Sequence, residues 1–422
     1  MLPFKNKTKK KTLVAIEMGT SKMVLGMAET RSDGILTLTG LWAQRSAGVR
    51  KGEIVGASQA GQQLKRLILE AEKEAGRHIT DGAYLLLSGS HLRCDKRTHR
   101  LEISPEEDAH VTAKDTETLA AEATEKAQSE WADDRWHVAT IPRSFRIDGG
   151  SRVSDPVGMN ATKLEGDFLV VHGIASHLKN LVSKVKELKI DIETFSLSPI
   201  ASAHAVLGEE QRDQGTLVID MGGGLTHYAV YQHGNVDGMG VIGVGGDHVT
   251  QDISRAFNLP VSHSDKLKRE HGIACLDRTQ RNQIINLKSE ITFGGAAIYV
   301  ESLMQVVRAR WEETFEIIKG EVGGETLKLL GGGVVLTGGS ARTPGIERLA
   351  NEVFGLPVQA VGREARGAVR SILNAEKEID QPEYSTVLGG LMLAHEQEMK
   401  KGAALKPLVF LKGILEKVRV LY

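Results

Sequence analysis

One short pattern occurs twice in this chain. LVAIEMGTSKMVLGM, Leu13–Met27, is repeated in outline by LVIDMGGGLTHYAVY, Leu217–Tyr231. In each copy an apolar strand reaches an acid, a methionine and a glycine, turns through small or hydroxyl residues, and continues as a second strand. Glu17-Met18-Gly19-Thr20 lines up with Asp220-Met221-Gly222-Gly223. A hairpin tip made of Gly and Thr presents bare backbone N–H groups, and such nests hold anionic oxygens. An acid just before the tip can hold water on a magnesium ion. Two such tips face to face would grip a nucleoside triphosphate from both sides, so the duplication predicts a two-lobed α/β protein that binds ATP. Singly, clusters such as Gly222-Gly223-Gly224 or Gly331-Gly332-Gly333 are tight turns; the pair in register argues for a phosphate clamp. A dinucleotide fingerprint would join a strand to a helix, whereas the segments after Gly19 and Gly222 read as strands.

A chain of 422 residues has room for two or three domains. Its 41% apolar and 25% charged content is that of a soluble globular protein. A net charge of −1 argues against nucleic acid as a partner, because phosphate backbones need concentrated positive charge. Cys94 and Cys275 are the two cysteines, far apart in sequence, so neither a disulfide framework nor a Cys-based zinc site is indicated. The 14 histidines show no metal-ligand spacing. No run approaches the roughly 18 apolar residues of a membrane span.

Along the chain, the pattern predicts an amphipathic helix over Ser58–Ala75, a buried strand at Ala83–Gly89, and a helix from Thr112 to Trp131 opened by a Thr112/Asp115 cap. Trp136–Ile141 reads as a strand, and the core pattern resumes at Asp167–Ala175. Helices follow near Lys179–Leu188, Pro199–Leu207, Asp247–Phe257, Glu301–Ile318 and Glu383–Ala394. Thr337-Gly338-Gly339-Ser340, after the strand Val334–Leu336, would let a nucleoside pass close to backbone. Asp265-x-x-Lys268-Arg269 has helical spacing and could reach a ribose or base edge.

These elements stand in the order of the actin, sugar-kinase and chaperone ATPase superfamily, and the chain resembles FtsA, a family of bacterial actin-like division proteins. The residues that carry the resemblance are IEMGTSK (Ile16–Lys22), YLLLSGSH (Tyr84–His91), DPVGM (Asp155–Met159) and SPIASAHAVL (Ser198–Leu207). They continue with VIDMGGGLTHYAVY (Val218–Tyr231), VGGDHVTQDI (Val244–Ile253), LKREHGIA (Leu267–Ala274), VVLTGGSA (Val334–Ala341) and YSTVLGG (Tyr384–Gly390). The resemblance implies an actin-like two-lobed ATPase fold with an inserted 1C subdomain in the first lobe. It divides the chain into a basic N-terminal tail (1–11), first-lobe core 1A (12–89 and 166–207), subdomain 1C (90–165), second-lobe core 2A (208–250 and 330–394) and subdomain 2B (251–329). A linker (395–404) and an amphipathic membrane-targeting helix (405–422) would close the chain.

The same resemblance implies Mg2+ and ATP as cofactors. Glu17, Gly19, Thr20, Ser21 and Lys22 would form the first phosphate loop, and Asp220, Gly222, Gly223, Gly224 and Thr226 the second. Glu17 and Asp220 would hold Mg2+ through water, Gly338, Gly339 and Ser340 would border the adenosine, and Asp265, Lys268 and Arg269 would sit on the ribose and base side. Implied partners are the C-terminal peptide of FtsZ, docked on 2B with Arg310 and Glu313 as contacts, later membrane proteins of the division machinery, and further copies of the chain in head-to-tail filaments. The implied place is the inner face of the cell membrane at the division site. Two positions depart from the pattern. Glu17 stands where many relatives have Asp, and Ser198-Pro199 stands where actin-like ATPases place Gln or Glu to orient the attacking water. ATP binding with slow or negligible hydrolysis is therefore expected.

The tail has its own signal. Leu408, Leu411, Leu415, Val418 and Tyr422 fall on one stripe of a helix, broadened by Phe410, Ile414 and Leu421, with Lys406, Lys412, Lys417 and Arg419 beside it. Such a helix lies in the lipid interface, its apolar face sunk and its cations on anionic head groups. This tail discriminates against the main rival, a PilM-like adaptor of type IV pilus assembly, which would share 1C but lack a lipid helix. A sugar kinase would need a base for the sugar hydroxyl, and none presents itself at Ser198. A DnaK-type chaperone would need a large domain after Ala394.

Overall fold

A computed structural model of the chain describes residues 11–31, 33–79, 82–103, 110–277, 280, 282–287, 296–361, 372–375, 378 and 380–400. The expected tail helix (405–422) and nearly all of the basic N-terminal segment lie outside these residues. Three sheets carry the architecture. In the first lobe Thr12–Met18 is central, antiparallel to Lys22–Thr30 and parallel to Ala83–Leu87. Leu36–Arg45 extends this sheet on one side and Ile192–Leu197 on the other. The second lobe repeats the plan, with Thr216–Met221 antiparallel to Thr226–Gln232 and parallel to Val334–Thr337. Both central strands have partners on each side and bury both faces, which accounts for their unbroken apolar runs. The hairpins also share a register: Met18 opposes Met23, and Met221 opposes Thr226.

The third sheet belongs to the insertion. Its order is Arg93–Glu102, Lys163–Ile174, Arg135–Ile147 and Arg152–Val153, antiparallel throughout. Helix Ala113–Gln128 covers one face. It opens with the expected Thr112/Asp115 capping box and buries Leu119, Ala120 and Ala123 against Phe145, Leu164 and Phe168. The insertion was expected to end at 165, with the lobe resuming at 166. Instead Lys163–Ile174 is one continuous strand that lies wholly in the inserted sheet. The sequence misleads here because this strand is apolar on both faces: Phe168 and Val170 lie against the helix, while Leu169 and Val171 join the first-lobe core.

A second difference concerns the end of the fold. Helix Ser385–Lys400 takes in residues 395–400 of the segment expected to be a linker (395–404). His395 Nδ1 meets the Thr30 hydroxyl at 3.0 Å, Glu396 meets His204 at 2.8 Å, and Glu398 accepts from Tyr84 Oη at 3.0 Å and pairs with Lys11 at 2.8 Å. Polar residues that read as a solvated linker are thus tied to the first lobe. The same helix crosses Ser198–Val206 so closely that a Cβ on Gly389 would overlap the Ala201 carbonyl oxygen, a backbone atom with no freedom to move aside. Gly389→Val is expected to destabilise the protein by more than about 3 kcal/mol, whereas Gly320→Ala, in a helix with open space around it, should stabilise by up to about 1 kcal/mol. Chemical unfolding of the two variants checks the contrast.

Candidate nucleotide-binding cleft

The two hairpin tips touch. A Cβ added to Gly224 would come within 2.5 Å of Thr20 Oγ1, and one on Gly223 within 3.0 Å of Ser21 Cβ. Each tip also turns too tightly for a side chain at its glycine. A Cβ on Gly19 would lie 2.8 Å from the Lys22 carbonyl oxygen, and one on Gly222 2.9 Å from that of Leu225. The Lys51 backbone N–H donates to Thr20 Oγ1 at 2.8 Å and fixes that side chain. A cleft of about 1290 Å³ opens between the lobes, and its walls include Glu17, Gly19, Thr20, Ser21 and Lys22 on one side and Asp220, Gly222, Gly223 and Gly224 on the other. Asp265, Lys268, Arg269, Gly338, Gly339 and Ser340 line it too.

Not every expected residue faces this space. Thr226 is fully buried and donates its hydroxyl to the Val244 carbonyl at 2.9 Å, so its oxygen is spent on the backbone. Ser198 and Pro199 are buried at the start of their helix and are not part of the cleft wall. Arg310 and Glu313 lie on helix Val300–Val322, outside the cleft. Arg310 clamps Asp252 of helix Gly246–Phe257 at 2.6 and 3.0 Å, and Glu313 pairs with the same guanidinium.

The electrostatics of the cleft floor centre on two carboxylates. Burial, and then the Asp220 charge, push Glu17 up to about 7 against the pull of Lys22. Asp220 accepts from Thr386 Oγ1 at 3.0 Å, and Gly338 presses on it so closely that no side chain fits there. Behind Asp220, His227 meets Ser88 Oγ at 2.8 Å through Nε2, which joins the second-lobe hairpin to the first-lobe strand end. Burial holds the His227 imidazole below its ordinary range despite the Asp220 charge. Two oxygen-donor acids on the cleft floor, one of them pushed toward its neutral form by burial and then by the charge of the other, fit a hard divalent cation such as Mg2+ held directly or through water.

The remaining cleft residues are pre-set by one another. Lys22 Nζ lies 4.1 Å over the Tyr384 ring, and burial lowers its pKa while Glu383 and Glu17 oppose that shift. Lys268 Nζ donates to the Gly246 carbonyl (2.9 Å) and Thr250 Oγ1 (2.6 Å), and pairs with Asp265 at 3.1 Å. Arg269 Nε donates to Asp265 at 2.8 Å. Burial would raise the Asp265 carboxyl, but these two cations hold it below the usual range. Thr386, Tyr384, Ser88 and His227 were missed by sequence reasoning. Tyr384 and Thr386 do fall within YSTVLGG, one of the segments that carry the resemblance.

The chain matches the family model described as cell division protein FtsA over residues 217–389, and the one described as the SHS2 domain inserted in FtsA over residues 89–172. It is 30% identical over 393 residues to the cell division protein FtsA of Borreliella burgdorferi, covering 92% of this chain and 91% of that one. It is 29% identical over 404 residues to the Escherichia coli K12 protein of the same description, covering 93% and 92%. Among solved structures it is similar to the PilM–PilN type IV pilus biogenesis complex, with a TM-score of 0.64, 15% identity, and 91% and 98% of the two chains covered. It is also similar to MreB5 of Spiroplasma citri bound to AMPPNP, with a TM-score of 0.55, 14% identity, and 93% and 98% covered. At these identities the two structures show the actin-like fold alone.

The raised Glu17 carboxyl has a consequence for stability. Its folded pKa of about 7 lies above the ordinary 4.5, so the nucleotide-free protein loses stability as pH rises from about 4.5 through 7. The full loss is on the order of 3 kcal/mol. Glu17→Gln should therefore raise the thermal midpoint of the nucleotide-free protein at pH 8, leave it unchanged near pH 4, and weaken Mg-dependent nucleotide binding. Thermal unfolding at the two pH values, with and without Mg-ATP, checks all three.

Proposed function

The chain belongs to the FtsA family of cell division proteins, and from that footing we propose that it is an ATP-binding, filament-forming anchor that holds FtsZ polymers at the inner face of the cell membrane. The observation that carries the nucleotide part is the contact of the two hairpin tips, with Thr20 and Ser21 against Gly223 and Gly224 and an acid at the root of each. The MreB5 structures, of the same fold, are bound to ADP and to AMPPNP, which accords with a nucleotide here.

On this reading the tip amides of Gly19–Ser21 and of Gly223 and Gly224 hold phosphate oxygens from the two lobes at once, while the Gly222 N–H is given to the Leu225 carbonyl at 2.9 Å and shapes the turn. Lys22 leaves the Tyr384 ring to meet the phosphates, and Asp265, already oriented by Lys268 and Arg269, accepts from the ribose hydroxyls. Gly338 and Gly339 let the nucleoside lie against backbone. Mg2+, when bound, supplies the positive charge that Glu17 and Asp220 lack between them. Ser198 and Pro199 are buried and stand outside the cleft wall, so neither takes the place of the Gln or Glu that orients a water, and turnover is slow or negligible. A nucleotide held by both lobes fixes the angle between them, and with it the shape each copy offers the next in a head-to-tail filament. The basic, apolar-striped segment 405–422 lies in anionic lipid, and the FtsZ C-terminal peptide docks near Arg310 and Glu313. Among the described residues no helix is long and apolar enough to cross a membrane, which accords with attachment by such a segment.

Co-sedimentation with anionic liposomes and Mg-ATP tests the anchor, comparing the full chain with one ending at Ala404. Only the full chain should pellet with lipid and form filaments there. If both stay in the supernatant, a PilM-like peptide adaptor becomes the better account. Arg310→Glu is expected to weaken the FtsZ C-terminal peptide at least fivefold with nucleotide affinity unchanged, as read by fluorescence anisotropy.

A further inference from the structure

Where the two hairpin tips touch, they also border a second cavity. Thr20 and Gly224, the touching pair, belong to its wall as well as to that of the cleft. It measures about 360 Å³ and is completed by Arg50 and Lys51 from the first lobe and by Asp247, His248 and Gln251 from the second. Arg50, Lys51 and His248 take no part in the cleft wall. Among the described residues, neither the Arg50 nor the Lys51 side chain is paired with an acid or hydrogen-bonded to any group.

Lys51 is placed there at a cost. Val49–Arg50 pairs with Glu53–Ile54, and Lys51-Gly52 form the two-residue turn between them, with φ of +53° and +74°. Such turns favour Asn or Gly at the first position, because longer side chains are strained at positive φ. Strained residues of this kind cluster at functional sites. The backbone here is firmly held: the Lys51 N–H donates to Thr20 Oγ1 at 2.8 Å, and its carbonyl accepts from the Ser90 N–H at 3.2 Å. From that anchor the side chain crosses to the other lobe, where Nζ lies 3.7 Å from the place a Cβ would take on Gly243.

The second lobe answers with donors. The Gly245 N–H donates to His248 Nδ1 at 3.1 Å, so Nε2 carries a proton whether the ring is neutral or charged. Burial, and then the Lys51 and Arg310 charges, hold that imidazole below its ordinary range, and the two cations mark the positive field around it. The first N–H groups of helix Gly246–Phe257 are already given to the Gly222 and Gly223 carbonyls, so an anion in this cavity is met by side chains.

We infer that this cavity binds free phosphate, held by Arg50 and Lys51 from one lobe and by His248 and Gln251 from the other. Donors on opposite walls suit a tetrahedral anion, whose oxygens point to all sides, better than a planar carboxylate. Asp247 is the one acid on the wall, and burial raises its carboxyl against the pull of Lys268. At neutral pH phosphate brings a proton to share with it, and sulfate brings none. The bound anion clasps the two lobes beside the cleft. Its walls exist whether or not the cleft takes a nucleotide, so the two readings are tested separately.

The test is equilibrium dialysis of radiolabelled phosphate against the full chain, with and without Mg-AMPPNP to fill the cleft. With AMPPNP present, one phosphate should bind per chain, and sulfate should displace it at least tenfold less well than phosphate does. Calorimetry of AMPPNP itself reports on the nucleotide reading alone. Arg50→Gln/Lys51→Asn should weaken phosphate at least tenfold and change AMPPNP affinity less than twofold. Lys51→Asn alone should weaken phosphate at least threefold and raise the thermal midpoint, since Asn suits the turn; it keeps the test open if the double variant folds poorly. Lys65→Gln/Arg66→Gln, on the exposed side of helix Ala57–Ala75, should change phosphate binding less than twofold. Equal losses in the two double variants would reduce the effect to net charge and overturn the proposal. Displacement of phosphate by AMPPNP would also overturn it, by placing the anion on the tips alone. So would unaltered binding in the Arg50/Lys51 variants, or no binding by the natural chain. Sulfate held as tightly as phosphate would remove Asp247 from the site.

Discussion

Glu17 and Asp220 repel each other across the cleft, and the fold is built to hold them there. Each ends the central strand of its lobe, and each strand is locked by an antiparallel neighbour on one side and a parallel one on the other. Neither acid can retreat toward solvent, because the strand that carries it is buried on both faces. Burial, and after it the Asp220 charge, raises the Glu17 carboxyl. A pair of acids that the fold forces together is a site waiting for positive charge, and the glycine tips beside them supply the place for an anion to bring it.

The groups that hold this arrangement come from distant parts of the chain. Thr386 opens the last helix with a hydroxyl on Asp220, and the body of that helix is packed in the first lobe. His227 and Ser88 tie the lobes together behind the acid. The inserted subdomain joins them, since Arg143 donates to the Asp237 carbonyl at 2.8 Å and to its carboxylate at 2.5 Å. Asp237 belongs to Asn235–Ile242, the strand that pairs with the second hairpin. The insertion therefore rests on both lobes, and its outer face is fixed relative to the cleft.

Where the structure departs from expectation, the reason is local pattern serving a non-local role. Lys163–Ile174 reads as a lobe strand because its two apolar faces serve two different cores. His395, Glu396 and Glu398 read as linker because their partners, Thr30, His204 and Tyr84, are far away in sequence. Thr226 reads as a phosphate ligand by its place in the motif, yet its hydroxyl is consumed by Val244.

By itself the sequence determined the two hairpins, their glycine tips and the acid at the root of each. These follow from short-range rules: alternation of apolar residues, the need for glycine where a side chain would strike the turn's own carbonyl, and the register of a four-residue tip. It also determined the Thr112/Asp115 cap and the apolar stripe of Ala57–Ala75, which are set within a turn or two of helix. Only the tertiary structure decided that Thr20 meets Gly224, that Thr386 serves Asp220, and that Lys163–Ile174 belongs to the insertion. Those outcomes depend on which surfaces of separate segments are buried together. A sequence states what each segment can bury, and not against which partner it will do so.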